Sequence, residues 1–539
     1  MASPAAIAGD VRARLDRRGS VEPGPRAGDF TFRLSRPDDL PGAAGELLAA
    51  GYAPVTLAVT DDAAAPDGDV KARWVFEPAA GPAPLADVFV TLQTSLDPAR
   101  PELPSLAAAI PAASWHEREA QDLFGVRFVG HPDPRPLVVH DGWPAGLHPL
   151  RKSFDASRRP PVEPAEEFPH LVVEGEGVFE VPVGPIHAGI IEPGHFRFST
   201  VGESVLHLEA RLFYTHRGLE KRIEGLPVAD ALLVAERACG VCSASHAIGF
   251  CEAAEQIAGV EPPRRARALR TIALELERLY NHVGDIGNIA AGASYHYGTS
   301  AGLRMKEALQ QVNEALTGSR FLRGLAVPGG VRLDLGAELS RSIEAAADAT
   351  ADALADLVER FENNPTVTDR LDVTGRLSRE DAVALGVTGP AARASGVDRD
   401  ARRDHPHGAF ATERGLGLAV PTDADGDVHA RLDVRAREAR ESIRLLRALL
   451  AGLPAGPIRA PMPAALPPWG VGIASIESPR GAAVHWLRAD AAGRVDRWHL
   501  RSASFANWPA VPLAAQSAIV PDFPLVNKSF ELCYSCTDR

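Results

Sequence analysis

Glu236-Arg-Ala-Cys239-Gly-Val-Cys242-Ser-Ala-Ser-His246 and Glu531-Leu-Cys533-Tyr-Ser-Cys536-Thr-Asp-Arg539 hold four of the five cysteines in a chain of 539 residues. Cys-x-x-Cys spacing lets two thiolates converge on one metal, so two such pairs offer four sulfur ligands. The pairs lie almost three hundred residues apart. A zinc ribbon keeps its pairs closer, and the spacing here predicts a metal held between two remote segments. One pair alone would read equally well as packed thiols or a redox dithiol. The four sulfurs by themselves also leave a structural zinc site open. Cys251, nine residues after Cys242 in a helical stretch, reads as core packing.

Outward from the cysteines, composition narrows the class. Lys and Arg number 57 and Asp and Glu 70, for a formal charge of -13, which gives a nucleic-acid partner no electrostatic support. No basic segment followed by a long apolar run opens the sequence, so no signal peptide is expected, and no stretch has the apolar length of a membrane span. Few cysteines without an export signal fit a reducing cytoplasm, where thiols stay free for metal.

The pattern predicts a multidomain chain: a small α+β N-terminal domain (28–154), a Pro-rich linker (155–169) and a mainly α-helical domain with peripheral β-strands (170–539). Ala53–Val59 and Leu85–Leu92 alternate as strands in the first. Val172–Phe198 and Glu203–Phe213 are expected strands, and 471–502 alternates likewise. Helices are expected over Ala235–Ala258, Pro262–Ala290, Ala301–Thr317, Glu338–Asn363 and Arg431–Leu453. Gly386–Phe410 reads as an ordered loop.

Particular segments resemble a known family. Glu117-Arg-Glu-Ala-Gln-Asp-Leu-Phe-Gly125 and His148-Pro-Leu-Arg-Lys-Ser-Phe154 are similar to the 30-kDa-type subunit of respiratory complex I. His216-Arg-Gly-Leu-Glu-Lys221 and Gly386-Val-Thr-Gly-Pro-Ala-Ala-Arg-Ala-Ser-Gly396 are shared by complex I 49-kDa-type subunits and by [NiFe]-hydrogenase large subunits. The two cysteine pairs resemble only the hydrogenases. The chain therefore resembles a large subunit of the energy-converting, formate hydrogenlyase-like [NiFe]-hydrogenases, fused to a 30-kDa-like domain, with a hydrogenase large-subunit fold. The resemblance implies a membrane-associated enzyme that interconverts H₂ with protons and electrons. It implies an iron–sulfur small subunit as electron partner, since no cysteines remain here for a cluster of this chain's own. It also implies antiporter-like membrane subunits, which would hold the chain on the inner face of the cell membrane. Two other readings follow from the shared segments and the sulfurs: a quinone-site subunit of an NADH-quinone oxidoreductase-like complex, or a zinc-binding scaffold.

The resemblance also assigns residues. Cys239 and Cys533 match the terminal nickel ligands, and Cys242 and Cys536 the thiolates bridging nickel to an iron that carries CO and cyanide. Pro479 and Arg480, in Ile476-Glu-Ser-Pro-Arg-Gly481, match the segment whose Arg overhangs the metals, as a base or a charge stabiliser. Ser504 is expected to hydrogen-bond a cyanide. Glu192 matches a proton-relay carboxylate and His246 is expected to hydrogen-bond a thiolate. Glu236 matches a Mg²⁺ ligand, although Arg539 stands where the family often has His. In this family a C-terminal extension is cut three residues beyond the last cysteine. Arg539 lies three after Cys536, as a processed chain or a gene encoding the mature end would both give.

Overall fold

Alternation of apolar residues in the first hundred positions builds a five-stranded sheet, seen in the computed structural model, which describes all residues except 1–3, 16, 64, 66–67, 80–86, 165–167, 188–190, 414 and 517. Its strands run in the order Gly19–Pro23, Phe30–Leu34, Val90–Leu96, Val70–Pro78, Tyr52–Asp61. Phe30–Leu34 and Val90–Leu96 are parallel and the other pairings antiparallel. The sheet begins before residue 28, with a short, half-exposed edge strand that has too little alternation to read from sequence. The expected strand Leu85–Leu92 lies partly outside the described residues; the strand that forms is Val90–Leu96.

Period-two burial gives this sheet two dry faces. Leu57, Val59, Trp74 and Phe76 pack with Leu40–Ala49 and Ala113–Phe124. Val55, Ala58, Val75 and Phe89 instead pack against Ile473, Val484 and Trp486. Those three belong to an antiparallel sheet of Val471–Ser478, Gly481–Ala489 and Val495–Arg501, and its opposite face covers the helix Ser243–Ala258. The second sheet thus lies between the N-terminal sheet and the helix that follows the first cysteine pair.

The helical body surrounds Arg264–Gly292, a 29-residue helix buried along most of its length. It packs on His296–Thr317, Val428–Ala451 and Phe523–Phe530. Ala337–Glu362 lies outside them, with Ile343, Leu354, Leu357 and Phe361 on its buried stripe. A third sheet, Val178–Val183, His195–Val201 and Ser204–Arg211, is antiparallel, with 188–190 of the expected strand Val172–Phe198 outside the described residues. Residues 165–167 of the Pro-rich segment are likewise outside them.

Two expectations need correction. Gly386–Phe410 contains the helices Gly389–Ala394 and Ala401–Asp404 and a 3₁₀ turn at Gly408–Ala411, because Pro390 and the capping Asp400 start helical turns within Gly-rich sequence. The expected helix Ala235–Ala258 is two, Val228–Ala235 and Ser243–Ala258, with the Cys-Gly-Val-Cys stretch as the break. No helix among the described residues is long and apolar enough to cross a membrane.

Candidate metal centre

Each cysteine pair sits at the start of a helix. Cys242 caps Ser243–Ala258, whose N-terminal dipole favours a thiolate there. Cys533 caps Tyr534–Asp538 and its sulfur accepts from the backbone N–H of Cys536. The fold brings the remote pairs together: the Sγ atoms of Cys239 and Cys533 are 3.0 Å apart. Ligand atoms of Cys239, Cys533 and Cys536 lie within 4.8 Å of one another, as do those of Cys242, His246 and Cys536. Cys239, Cys242 and Cys536 are buried and Cys533 half-buried.

Such a cluster cannot ionise fully by itself. Burial raises the Cys536 thiol well above its ordinary range, and contact with Cys239 does the same for Cys533. Hydrogen bonds with Cys239 and Cys536 lower Cys242 to about 6. The sulfurs share protons that a bound cation would displace, which is the chemistry of a thiolate metal site. Cys251 stands apart, fully buried in an aliphatic cluster, its thiol raised by desolvation.

Several side chains hold the two loops in register, and of them the sequence singles out only Ser504. The Arg217 guanidinium donates to the carbonyls of Arg237 (3.0 Å) and Ala238 (2.7 Å), beside the first pair, and of Ser535 (2.9 Å), inside the second. Asp538 accepts from the N–H groups of Phe213 and Thr215 and from the Thr215 hydroxyl. Ser504 Oγ accepts from Cys533 N–H at 2.9 Å, and Ser502 Oγ donates to the Cys536 carbonyl at 3.0 Å.

Pro479 and Arg480 form the turn between Val471–Ser478 and Gly481–Ala489. That turn is pinned by Asn507, which donates to the Arg480 and Thr388 carbonyls. At Gly389 (φ 70°) a Cβ would lie 2.3 Å from the Arg480 carbonyl, so the Gly-rich segment can approach only without a side chain. The Arg480 guanidinium is buried, forks onto Asp285 at 2.5 and 3.0 Å, and lies 3.4 Å from Asn281 Oδ1 and 4.0 Å from Glu531. Desolvation opposes its charge, but Asp285 and Glu531 outweigh it and hold the group protonated. Burial raises Glu531 to about 7.

His246 turns its Nε2 to Cys536 Sγ, at 3.2 Å, rather than to the Cys242 on its own helix. Its Nδ1 faces His485 Nε2 at 3.4 Å. Glu192 accepts from the hydroxyl of Ser535, between the second pair of cysteines; residues 188–190 of its segment lie outside the described ones. Glu236 is occupied elsewhere: it accepts from the Gly324 N–H at 2.9 Å and the Arg237 guanidinium at 2.6 Å. Arg539 instead places its guanidinium between Glu119 and Glu220 and donates to the Leu500 carbonyl. Glu236 and Arg539 share no partner, and an organic cation already stands among the carboxylates. These residues do not fit a Mg²⁺ ion.

Known proteins resemble this chain along most of its length. Residues 217–285 match the nickel-dependent hydrogenase family. Residues 297–469 and 462–539 match the 49 Kd subunit of respiratory-chain NADH dehydrogenase, and 60–160 its 30 Kd subunit. Formate hydrogenlyase subunit 5 of Escherichia coli K12 is 35% identical over 456 residues, covering 84% of this chain and 79% of that protein. The chain belongs to this hydrogenase large-subunit family. Hydrogenase-4 component G of the same organism is 33% identical, covering 84% and 78%. A chain of the membrane-bound sulfane sulfur reductase, an archaeal respiratory membrane complex, superposes with a TM-score of 0.64 at 26% identity, over 68% of this chain and 99% of that one. Matches to the 30 Kd and the 49 Kd subunits thus lie in one chain.

Proposed function

We propose that this chain is the catalytic large subunit of a membrane-associated [NiFe]-hydrogenase, interconverting H₂ with protons and electrons. The observation that carries the reading is the convergence of four sulfurs from two remote segments, with the buried Arg480 guanidinium near enough for the Cys242 charge to act on it. Cys239, Cys242, Cys533 and Cys536 would together hold a nickel–iron pair whose iron would carry CO and cyanide. When bound, the pair supplies a soft, redox-active site at which the H–H bond is cleaved heterolytically.

The chain's own groups do the rest. Arg480, kept protonated by Asp285, would stabilise charge beside the sulfurs, which favours that role over a base. Ser504 has its lone pair engaged by Cys533 N–H and its own proton left to donate toward a cyanide. Pro479, beside Arg480 in the same turn, would line the site as the family resemblance implies. Glu192, hydrogen-bonded to Ser535, takes a proton from beside the second cysteine pair and passes it outward. Electrons leave to an iron–sulfur partner subunit. Antiporter-like membrane subunits anchor the assembly on the inner face of the cell membrane; the likeness to a chain of a membrane-bound complex supports attachment of this kind.

The 30 Kd and 49 Kd matches favour a second reading, a quinone-site subunit of an NADH-quinone oxidoreductase-like complex. Metal analysis of the anaerobically purified complex, with infrared spectra for CO and cyanide, separates them. Nickel with those bands is the expected result; neither metal nor bands favours the quinone role, and zinc alone favours a scaffold.

A further inference from the structure

His485 and Trp498 lie on neighbouring strands, where His485 pairs with Leu500 and Leu487 with Trp498, so both face the helix Ser243–Ala258. Trp498 Nε1 is 3.2 Å from His485 Nδ1. An indole N–H only donates, so His485 Nδ1 accepts and its proton sits on Nε2. That Nε2 faces His246 Nδ1 at 3.4 Å. His246 Nδ1 must therefore accept, which leaves its proton on Nε2, 3.2 Å from Cys536 Sγ. We propose that Trp498 and His485 are positioning residues that set the tautomer of His246, so that an N–H is always aimed at the Cys536 thiolate.

The direction of every bond follows from the donor at the far end. A doubly protonated ring at either position would set two N–H groups against each other, so both imidazoles are neutral. Burial, which lowers both rings and His246 to about 4, acts the same way. Both rings are almost fully inaccessible, at 0% and 1% exposure, so no water competes for these nitrogens from outside. Space for the relay is built into the helix. A Cβ at Gly249 would fall 2.6 to 3.1 Å from three atoms of the His485 ring, so a glycine there lets the imidazole reach His246.

A hydrogen bond to a bridging thiolate withdraws electron density from the iron it serves. Losing it strengthens donation from sulfur and lowers the stretching frequency of an iron-bound CO. The proposal rests on the [NiFe] reading of the cysteine cluster, and the test separates the two. Solid-state ¹⁵N-histidine spectra of the native complex, assigned by subtraction of His246→Gln and His485→Gln samples, read the tautomers directly. Both rings are expected to carry the proton on Nε2; a proton on Nδ1 of either overturns the relay. In nickel-loaded His485→Leu and Trp498→Phe the CO band is expected to move to lower wavenumber. His485→Gln, whose amide can still donate to His246 Nδ1, should keep it in place. An unmoved band in nickel-loaded His485→Leu overturns the proposal. If the complex holds no nickel, the metal reading fails, and the tautomer spectra, which need no metal, still decide the relay.

Discussion

Replacing Cys239, Cys242, Cys533 or Cys536 by serine exchanges a soft thiolate for a hydroxyl that stays protonated near neutral pH. Each variant is expected to lose H₂ activity and nickel, measured by turnover and metal content; nickel-loaded Cys536→Ser with normal turnover would refute the ligand assignment. Cys251→Ala should keep activity, since that thiol touches only core. Arg480→Lys keeps the charge but loses the fork onto Asp285, so turnover should fall on the order of a hundredfold with nickel retained. Glu192→Gln accepts the Ser535 hydrogen bond but cannot carry a proton. Hydrogen-isotope exchange with water and turnover should fall together while the infrared bands persist; unchanged exchange would move the relay elsewhere. The four cysteines and Arg480 stood out in the sequence because their motifs are local. Asp285 was not, since nothing beside it on an amphipathic helix marks it. Only the fold carries it to an arginine 195 residues on. Arg217 lay in a motif that read as family-shared, with no signal that its guanidinium bridges the two cysteine loops.

Among the elements, long helices with a single apolar stripe were read nearly to their ends: Ala337–Glu362 was expected as Glu338–Asn363. Periodicity failed where capping and glycine chemistry decide, at the Cys-Gly-Val-Cys break and in the helical turns of 389–404. The short helix Tyr534–Asp538 shows why side-chain anchoring can matter more than propensity. Five residues cannot hold a helix in water, and this one is fixed by Asp538 on the 213–215 backbone and by Arg539 between Glu119 and Glu220. Arg539→Met would leave buried Glu119 without its guanidinium, while Glu220 keeps Arg497. A loss of about 3–5 kcal/mol is expected, read as a lower unfolding midpoint of the assembled complex. Chelation of Mg²⁺ should leave that midpoint unchanged, because Glu236 is already satisfied by Gly324 and Arg237; a drop on chelation would show an ion bound after all.

Across the whole molecule, the N-terminal sheet is tied to the helical body by charge as well as by the apolar layer of Val55, Val75, Phe89 and Trp486. Glu77 is buried between Arg399 and His405, and His405 reaches Asp87 with its other nitrogen at 2.6 Å. Burial pushes Glu77 up, but Arg399 and His405 prevail and hold it below the carboxylate range. Burial pushes His405 down, but Asp87 and Glu77 prevail and raise it. The depressed carboxylate stabilises docking above its unfolded value near 4.5, and that stability fades as pH falls through the folded value. The raised imidazole stabilises docking below its unfolded value near 6.5, and that stability fades as pH climbs through the folded value. Both contributions are complete together only between those two unfolded values. The unfolding midpoint, followed by fluorescence of interface Trp486, should therefore be highest in that window and decline on its alkaline side. In His405→Gln, which can hydrogen-bond Glu77 but holds no proton charge, the alkaline decline should flatten and the midpoint within the window should drop. An unchanged alkaline limb in that variant would place the pH dependence of the domain contact on other groups.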